Sequence, residues 1–232
     1  MRKIDGKEAY HFRPGVDGYF LPEPITAIFA AGRQNDVLLL AGWNHDEGDA
    51  ELDGNRNPDV AAYKAAATRE FGARAPEFLK LYPGETDVEA RRSLQDFNGD
   101  DFIAWSTWKW MEAQKATGRK AVYRYRFDLS LPSAERKEGL GAYHSAEIEY
   151  VFGQLESKQL PWRPEDRNLS GLIQKYWTNF AHSGDPNGPG LPKWPEYRAD
   201  DTWIVMYLDG SPEARPDAIR NRYVWLDSVW GQ

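Results

Sequence analysis

The 232-residue sequence contains no cysteine and only three methionines. The missing thiols exclude disulfides, thiolate metal sites and a cysteine nucleophile. They are compatible with a cytoplasmic setting but do not fix a compartment. Long hydrophobic runs are missing too. The longest, 37–43, falls far short of the ~20 apolar residues that span a bilayer. The opening Met1-Arg2-Lys3-Ile4-Asp5-Gly6 carries no apolar stretch of the secretory-leader kind. Basic residues never run beyond a pair, and with a net charge of −7 the chain lacks the positive field that nucleic-acid binding needs. Internal repeats and low-complexity segments are absent.

Apolar residues make up 41% of the chain and charged residues 28%, the profile of a folded globular protein. The length suits one domain, or part of a larger one. Ten Trp and an aromatic share of 14% supply either ordinary core or the wall of a deep pocket.

Along the chain, 14–22 reads as a turn, a short extended piece and a proline stop. Apolar spacing over 23–31 predicts a short helix closed by Gly32. The continuous run 37–42 suits a strand buried on both faces. Helical periodicity follows over 58–74, 88–97 and 102–116, the last ending at Gly118; Arg91-Arg92 reads as a solvated face. Alternation over 121–128 gives a second strand with one polar side. After a loop over 129–141 come a short apolar element at 148–152 and an amphipathic helix at 167–182. A run dense in turn formers (183–190), a third strand at 203–208 and a helix at 217–230 complete the chain.

Strands alternating with helices predict an α/β fold with a mostly parallel sheet flanked by helices. Three strands are few for this length and leave long edges unpaired. The chain therefore reads as a single, incomplete domain over 1–232, with further strands of its sheet lying elsewhere.

In open α/β sheets, chemistry gathers at the carboxyl ends of strands. Glu47 stands there after the first strand, in Gly42-Trp43-Asn44-His45-Asp46-Glu47-Gly48, and His144 follows the second, in His144-Ser145-Ala146-Glu147-Ile148-Glu149-Tyr150-Val151-Phe152-Gly153. An acid and then a histidine after successive strands is the order in which an α/β-hydrolase supplies its acid and base. These two segments resemble the acid loop and histidine loop of type-B, cholinesterase-like carboxylesterases. Val16-Asp17-Gly18-Tyr19, 176–181 with 184–187, and Trp194-Pro195-Glu196-Tyr197 extend the likeness in the family's order over nearly the whole chain.

The resemblance implies the C-terminal portion of an α/β-hydrolase fold, with Glu47 as triad acid and His144 as general base. A carboxylate on one ring nitrogen fixes the tautomer and stabilises the imidazolium. No serine here sits in a Gly-x-Ser-x-Gly elbow. The N-terminal strands, the nucleophile and the glycine-rich oxyanion loop precede this region in the family. The implied function is hydrolysis of a small-molecule carboxylic ester, completed by an N-terminal half from another chain or by self-association. The alternatives are a non-catalytic interaction domain of the same fold and a truncated or split gene product.

Glu147 and Glu149, near His144, are expected either to form a polar network behind the site or to lie on a solvated strand edge. Trp43 and Trp105, with Trp108 and Trp110, are candidates for pocket walls. His45 reads as exposed loop, His182 as a helix-terminal charge and His11 as surface. Asp49, Glu51, Asp53 and Gly54 imitate a calcium loop, but its twelfth position is Val60, not Glu, and Pro58 interrupts it. Neither a metal nor a cofactor is expected.

Overall fold

The computed structural model describes residues 15–50, 52, 54–136, 139–198 and 202–231, together with the backbone of a short antiparallel pair, β1 (Lys3–Ile4) and β2 (Lys7–Glu8). His11, Glu51 and Asp53 lie outside these residues. Asp17 Oδ1 accepts the N–H groups of Tyr19 and Leu21, both at 3.0 Å, and closes the turn that leads to α1 (Ile25–Ala30).

The main sheet has four strands in the order β3 (Leu39–Asn44), β4 (Val122–Phe127), β5 (Ile204–Leu208) and β6 (Glu213–Pro216). The first three run parallel and β6 is antiparallel, so the sheet is mixed, with helices on both faces: a partial α/β-hydrolase architecture. The three strands expected from hydrophobic pattern are present, with β3 displaced two residues toward the C-terminus. The fourth was not expected. Its residues Glu213-Ala214-Arg215-Pro216 carry no alternating apolar signal, and pairing with β5 makes them a strand.

The helices are α2 (Val60–Phe71), α3 (Ala75–Leu81), α4 (Asp87–Gly99), α5 (Trp105–Thr117), α6 (Ile148–Val151), α7 (Pro164–Ser183) and α8 (Arg220–Trp230). Asp59 and Thr86 cap α2 and α4 through their side chains. The break expected between 97 and 102 is absent. A π-helical turn, Asp100–Ala104, joins α4 to α5 without interruption.

The odd residues of β3 (Leu39, Ala41, Trp43) and Val122 of β4 pack against Trp108 and Met111 of α5 and Tyr223 of α8. On the other face, Tyr123 and Phe127 of β4 and Met206 and Leu208 of β5 meet Tyr150, Ile173, Tyr176 and Trp194. The polar side of β4 is itself buried. Arg124 is 0% exposed, bonds Asp217, and stacks 4.2 Å from the Trp43 ring centroid.

The two sheet edges differ. β6 carries Glu213, Arg215 and Pro216, residues that discourage further pairing. β3 bears no charge. Leu39 donates to Ala121 O in the β4 direction, so Leu40 and Gly42 turn their N–H and C=O groups the opposite way. No described strand meets them.

Breaking the sheltered Arg124–Asp217 pair, whose side chains are each 1% exposed, leaves a buried unpaired carboxylate. Arg124→Met is expected to cost about 3–5 kcal/mol in urea unfolding, with most of that recovered in Arg124→Met/Asp217→Leu. A double variant no more stable than the single one contradicts this account.

Candidate active site

Strands β3 and β4 pair in register from Leu39↔Val122 to Asn44↔Phe127, so their carboxyl ends finish level. The loops that follow stay together: Asp46 bridges Tyr143 in parallel fashion, its N–H donating to Ala142 O at 2.9 Å. This brings Glu47 and His144 face to face. Glu47 Oε2 lies 2.6 Å from His144 Nδ1.

The two side chains sit in different surroundings, Glu47 being 5% exposed and His144 51%. Glu47 Oε1 accepts the Asn44 N–H at 2.8 Å, which fixes the carboxylate from behind. With Nδ1 committed to Glu47, His144 Nε2 has no partner among the described residues. Buried Ala142 and Ala146 anchor the loop on either side of the histidine. Ser145, just after it, is held at φ 72°, a left-handed conformation that costs a non-glycine residue energy and often marks a functional turn. The Phe102 ring, in the π turn, and the imidazole meet in a T-shaped arrangement with centroids 5.1 Å apart.

Gly48 is required by packing. A Cβ there would stand 2.2 Å from Gln95 O and 2.3 Å from Gly99 N, so the chain after Glu47 lies directly on the backbone of α4.

The remaining expected residues divide. Glu147 Oε2 accepts Asn44 Nδ2–H at 2.5 Å, and the same Nδ2 reaches Tyr143 O at 2.8 Å, so Glu147 joins a polar group behind the pair. Glu149 points elsewhere, to Lys158 at 2.9 Å. Trp43 is buried under Arg124 and lines a cavity of about 400 Å³ beside Glu47. Trp105 lines a different cavity of about 620 Å³, walled by Phe71, Phe78, Phe97 and Trp230. Trp108 stacks on Tyr223 in the core and Trp110 is exposed. His45 and His182 are exposed.

Sequence reasoning missed Asn44, Asp46 and Arg92. The first two lie inside the quoted acid-loop segment without a distinguishing signal of their own. Arg92 is half-buried rather than solvated and bonds Asp46 at 2.5 Å. Burial and the charges of Glu147 and Glu47 push the nearby Tyr125 phenol up.

Residues 2–222 match the Carboxylesterase family. The chain belongs to the carboxylesterase family. Among curated relatives, Carboxylesterase 1D of Rattus norvegicus is 31% identical over 86% of this chain and 38% of its own length. Carboxylesterase 1C of Mus musculus is 28% identical over 82% of this chain and 37% of its own. Fumonisin B1 esterase of Sphingopyxis macrogoltabida is 29% identical over 79% of this chain and 35% of its own. The chain thus spans little more than a third of the length of these carboxylesterases. Among the described residues no helix is long and apolar enough to cross a membrane, and no group of acidic or histidine side chains is arranged to hold a metal.

One buried carboxyl of this family member titrates near neutrality. Asp100, 5% exposed, accepts the Tyr82 hydroxyl at 2.7 Å and lines the cavity beside Glu47. Burial pushes it up to about 7, despite the opposing pull of Tyr82 and Arg222. The folded chain therefore holds a proton between pH 3.8 and about 7 that the unfolded chain releases. Its contribution to stability is present below the unfolded value and lost as pH rises through the folded one. In urea titrations at pH 5 and 7.5, Asp100→Asn is expected to reduce the loss of stability on raising pH. An unchanged difference between the two pH values argues against this assignment.

Proposed function

We propose that this chain supplies the acid and base of a serine carboxylesterase, with Glu47 as acid and His144 as base. The nucleophilic serine and the oxyanion-stabilising donors lie in an N-terminal part of the enzyme. The observation that carries this reading is the 2.6 Å contact between the sheltered Glu47 carboxylate and Nδ1 of a half-exposed imidazole. A carboxylate so placed favours the tautomer with the proton on Nδ1 and leaves Nε2 as the outward-facing acceptor. Nε2 then takes the proton from the serine hydroxyl as its oxygen attacks the ester carbonyl, and passes it to the departing alkoxide. Water repeats the cycle on the acyl-enzyme. Glu47 keeps its charge throughout and stabilises the imidazolium.

The sheet edges support the position of the missing part. β3, uncharged and with the groups of Leu40 and Gly42 turned outward, accepts another strand, whereas β6 is guarded by charge and proline. A strand added in parallel to β3 ends beside Glu47, where a strand-to-helix turn brings a serine toward His144. Residues 1–232 then form one incomplete domain. The substrate is a small carboxylic ester, and neither cofactor nor metal enters the mechanism.

The test is hydrolysis of p-nitrophenyl acetate and butyrate by the purified chain, with and without the N-terminal portion encoded upstream. Activity is expected only in the mixture, and His144→Ala is expected to lower it by roughly 10⁴-fold or more. Turnover by the chain alone, abolished in His144→Ala, places the nucleophile within these residues and sinks the split arrangement. Silence in every mixture favours a non-catalytic domain.

A further inference from the structure

The acid loop is held by α4 and by the histidine loop. Asp46, immediately before Glu47, uses both carboxylate oxygens: Oδ1 accepts Arg92 Nη1–H at 2.5 Å and Oδ2 accepts the Ala142 N–H at 2.8 Å. Asp46 therefore links the acid loop to the histidine loop two residues before His144. Arg92 in turn ties Asp46 to α4. Its second nitrogen lies 2.6 Å from Asp96, and Asp96 is shared with Arg222 of α8 at 3.0 Å. On the far side of Glu47, Gly48 rests on the backbone of Gln95 and Gly99. Residues 92, 95, 96 and 99 fall at i, i+3, i+4 and i+7, so one face of a single helix grips the loop on both flanks of the glutamate.

We propose that Arg92 is a positioning residue for the Glu47–His144 pair, acting through Asp46. This rests on the reading of Glu47 and His144 as acid and base. The Asp46 and Asp96 side chains are only 12% and 13% exposed but that of Arg92 is 39% exposed, so solvent screens these contacts in part, less than it does a fully exposed ion pair. Burial works to raise the Asp46 carboxyl, but Arg92, His45 and the Ala142 N–H together hold it below the usual carboxylate range. Without Arg92, Asp46 keeps its backbone and side-chain bonds to Ala142 but loses its side-chain tie to α4, which loosens the seat of the neighbouring Glu47. A hydrogen bond of 2.6 Å between Glu47 and His144 tolerates little such movement.

The test reads the His144 tautomer by ¹⁵N-detected NMR of the imidazole in the 232-residue chain. The unsubstituted chain is expected to hold His144 as the Nδ1–H tautomer, and Glu47→Gln to lose that preference. Arg92→Ala is expected to lower the Nδ1–H to Nε2–H ratio roughly tenfold, as loss of a bond to a charged group implies. Arg92→Lys, which restores one charged donor, should recover part of it. A purely structural role for Arg92 lowers the melting temperature without moving the ratio in the folded state. Should Arg92→Ala fail to fold, Asp46→Asn serves instead, because the amide oxygen can still accept from Ala142 while the charge facing Arg92 is gone. An unchanged ratio in a folded variant, in a chain that responds to Glu47→Gln, overturns the role of Arg92 alone. A chain whose tautomer ignores Glu47→Gln overturns the acid–base reading and the positioning role together.

Discussion

The level finish of β3 and β4 is the constraint on which the rest of the site depends. Six consecutive residue pairs, from Leu39↔Val122 to Asn44↔Phe127, leave no slack between the strands, so the loops beyond them begin side by side. A register slip of one residue would reverse the faces of β3 and move Trp43 off Arg124. The same slip would separate Glu47 from His144. The apolar packing of Leu39, Ala41 and Trp43 on α5 and α8 thus stabilises the site geometry as much as it does the core.

Around that fixed ladder the molecule uses charge where a simpler core would use hydrocarbon. Arg124 and Asp217 are sealed beneath Trp43 and Tyr223, and Arg222 joins Asp96 while Asp100 bonds Tyr82. Such pairs add little net stability compared with well-packed apolar residues, but they punish misplacement severely. Their arrangement under the acid loop links α4, α8 and the sheet by directional contacts rather than by apolar area alone.

Much of this was legible in the sequence, and the reasons are specific. The run at 37–42 and the alternation at 121–128 mark strands because burial demands those patterns, and the polar loops after them place Glu47 and His144 at neighbouring strand ends. The acid-loop and histidine-loop segments carry the family resemblance in side chains close to one another in the chain. What was hidden depends on partners distant in sequence. β6 exists because β5 offers it a ladder. Arg92 looks like any solvated arginine until Asp46 is folded over it, and the buried state of Arg124 follows from Trp43 and Asp217, 81 residues before it and 93 after. Pattern reports which face a residue occupies, whereas these contacts depend on which elements cross.

The π turn at Asp100–Ala104 has a consequence for how this helix can change. A π turn amounts to one extra residue accommodated in an α-helix, the surplus being taken up by wider winding. Ahead of it, α4 keeps the face that meets the acid loop; beyond it, α5 keeps Trp108 and Met111 on the sheet. Because the wider winding absorbs that residue, deleting it would restore regular winding with α4 and α5 close to their present phase, whereas forcing every residue of 100–104 into α geometry would turn one half against the other by about 100°. Either the grip on Gly48 or the seat of Trp108 would then be lost. The helix serves two neighbours at once, and the wide turn that absorbs the odd residue lets both contacts be kept.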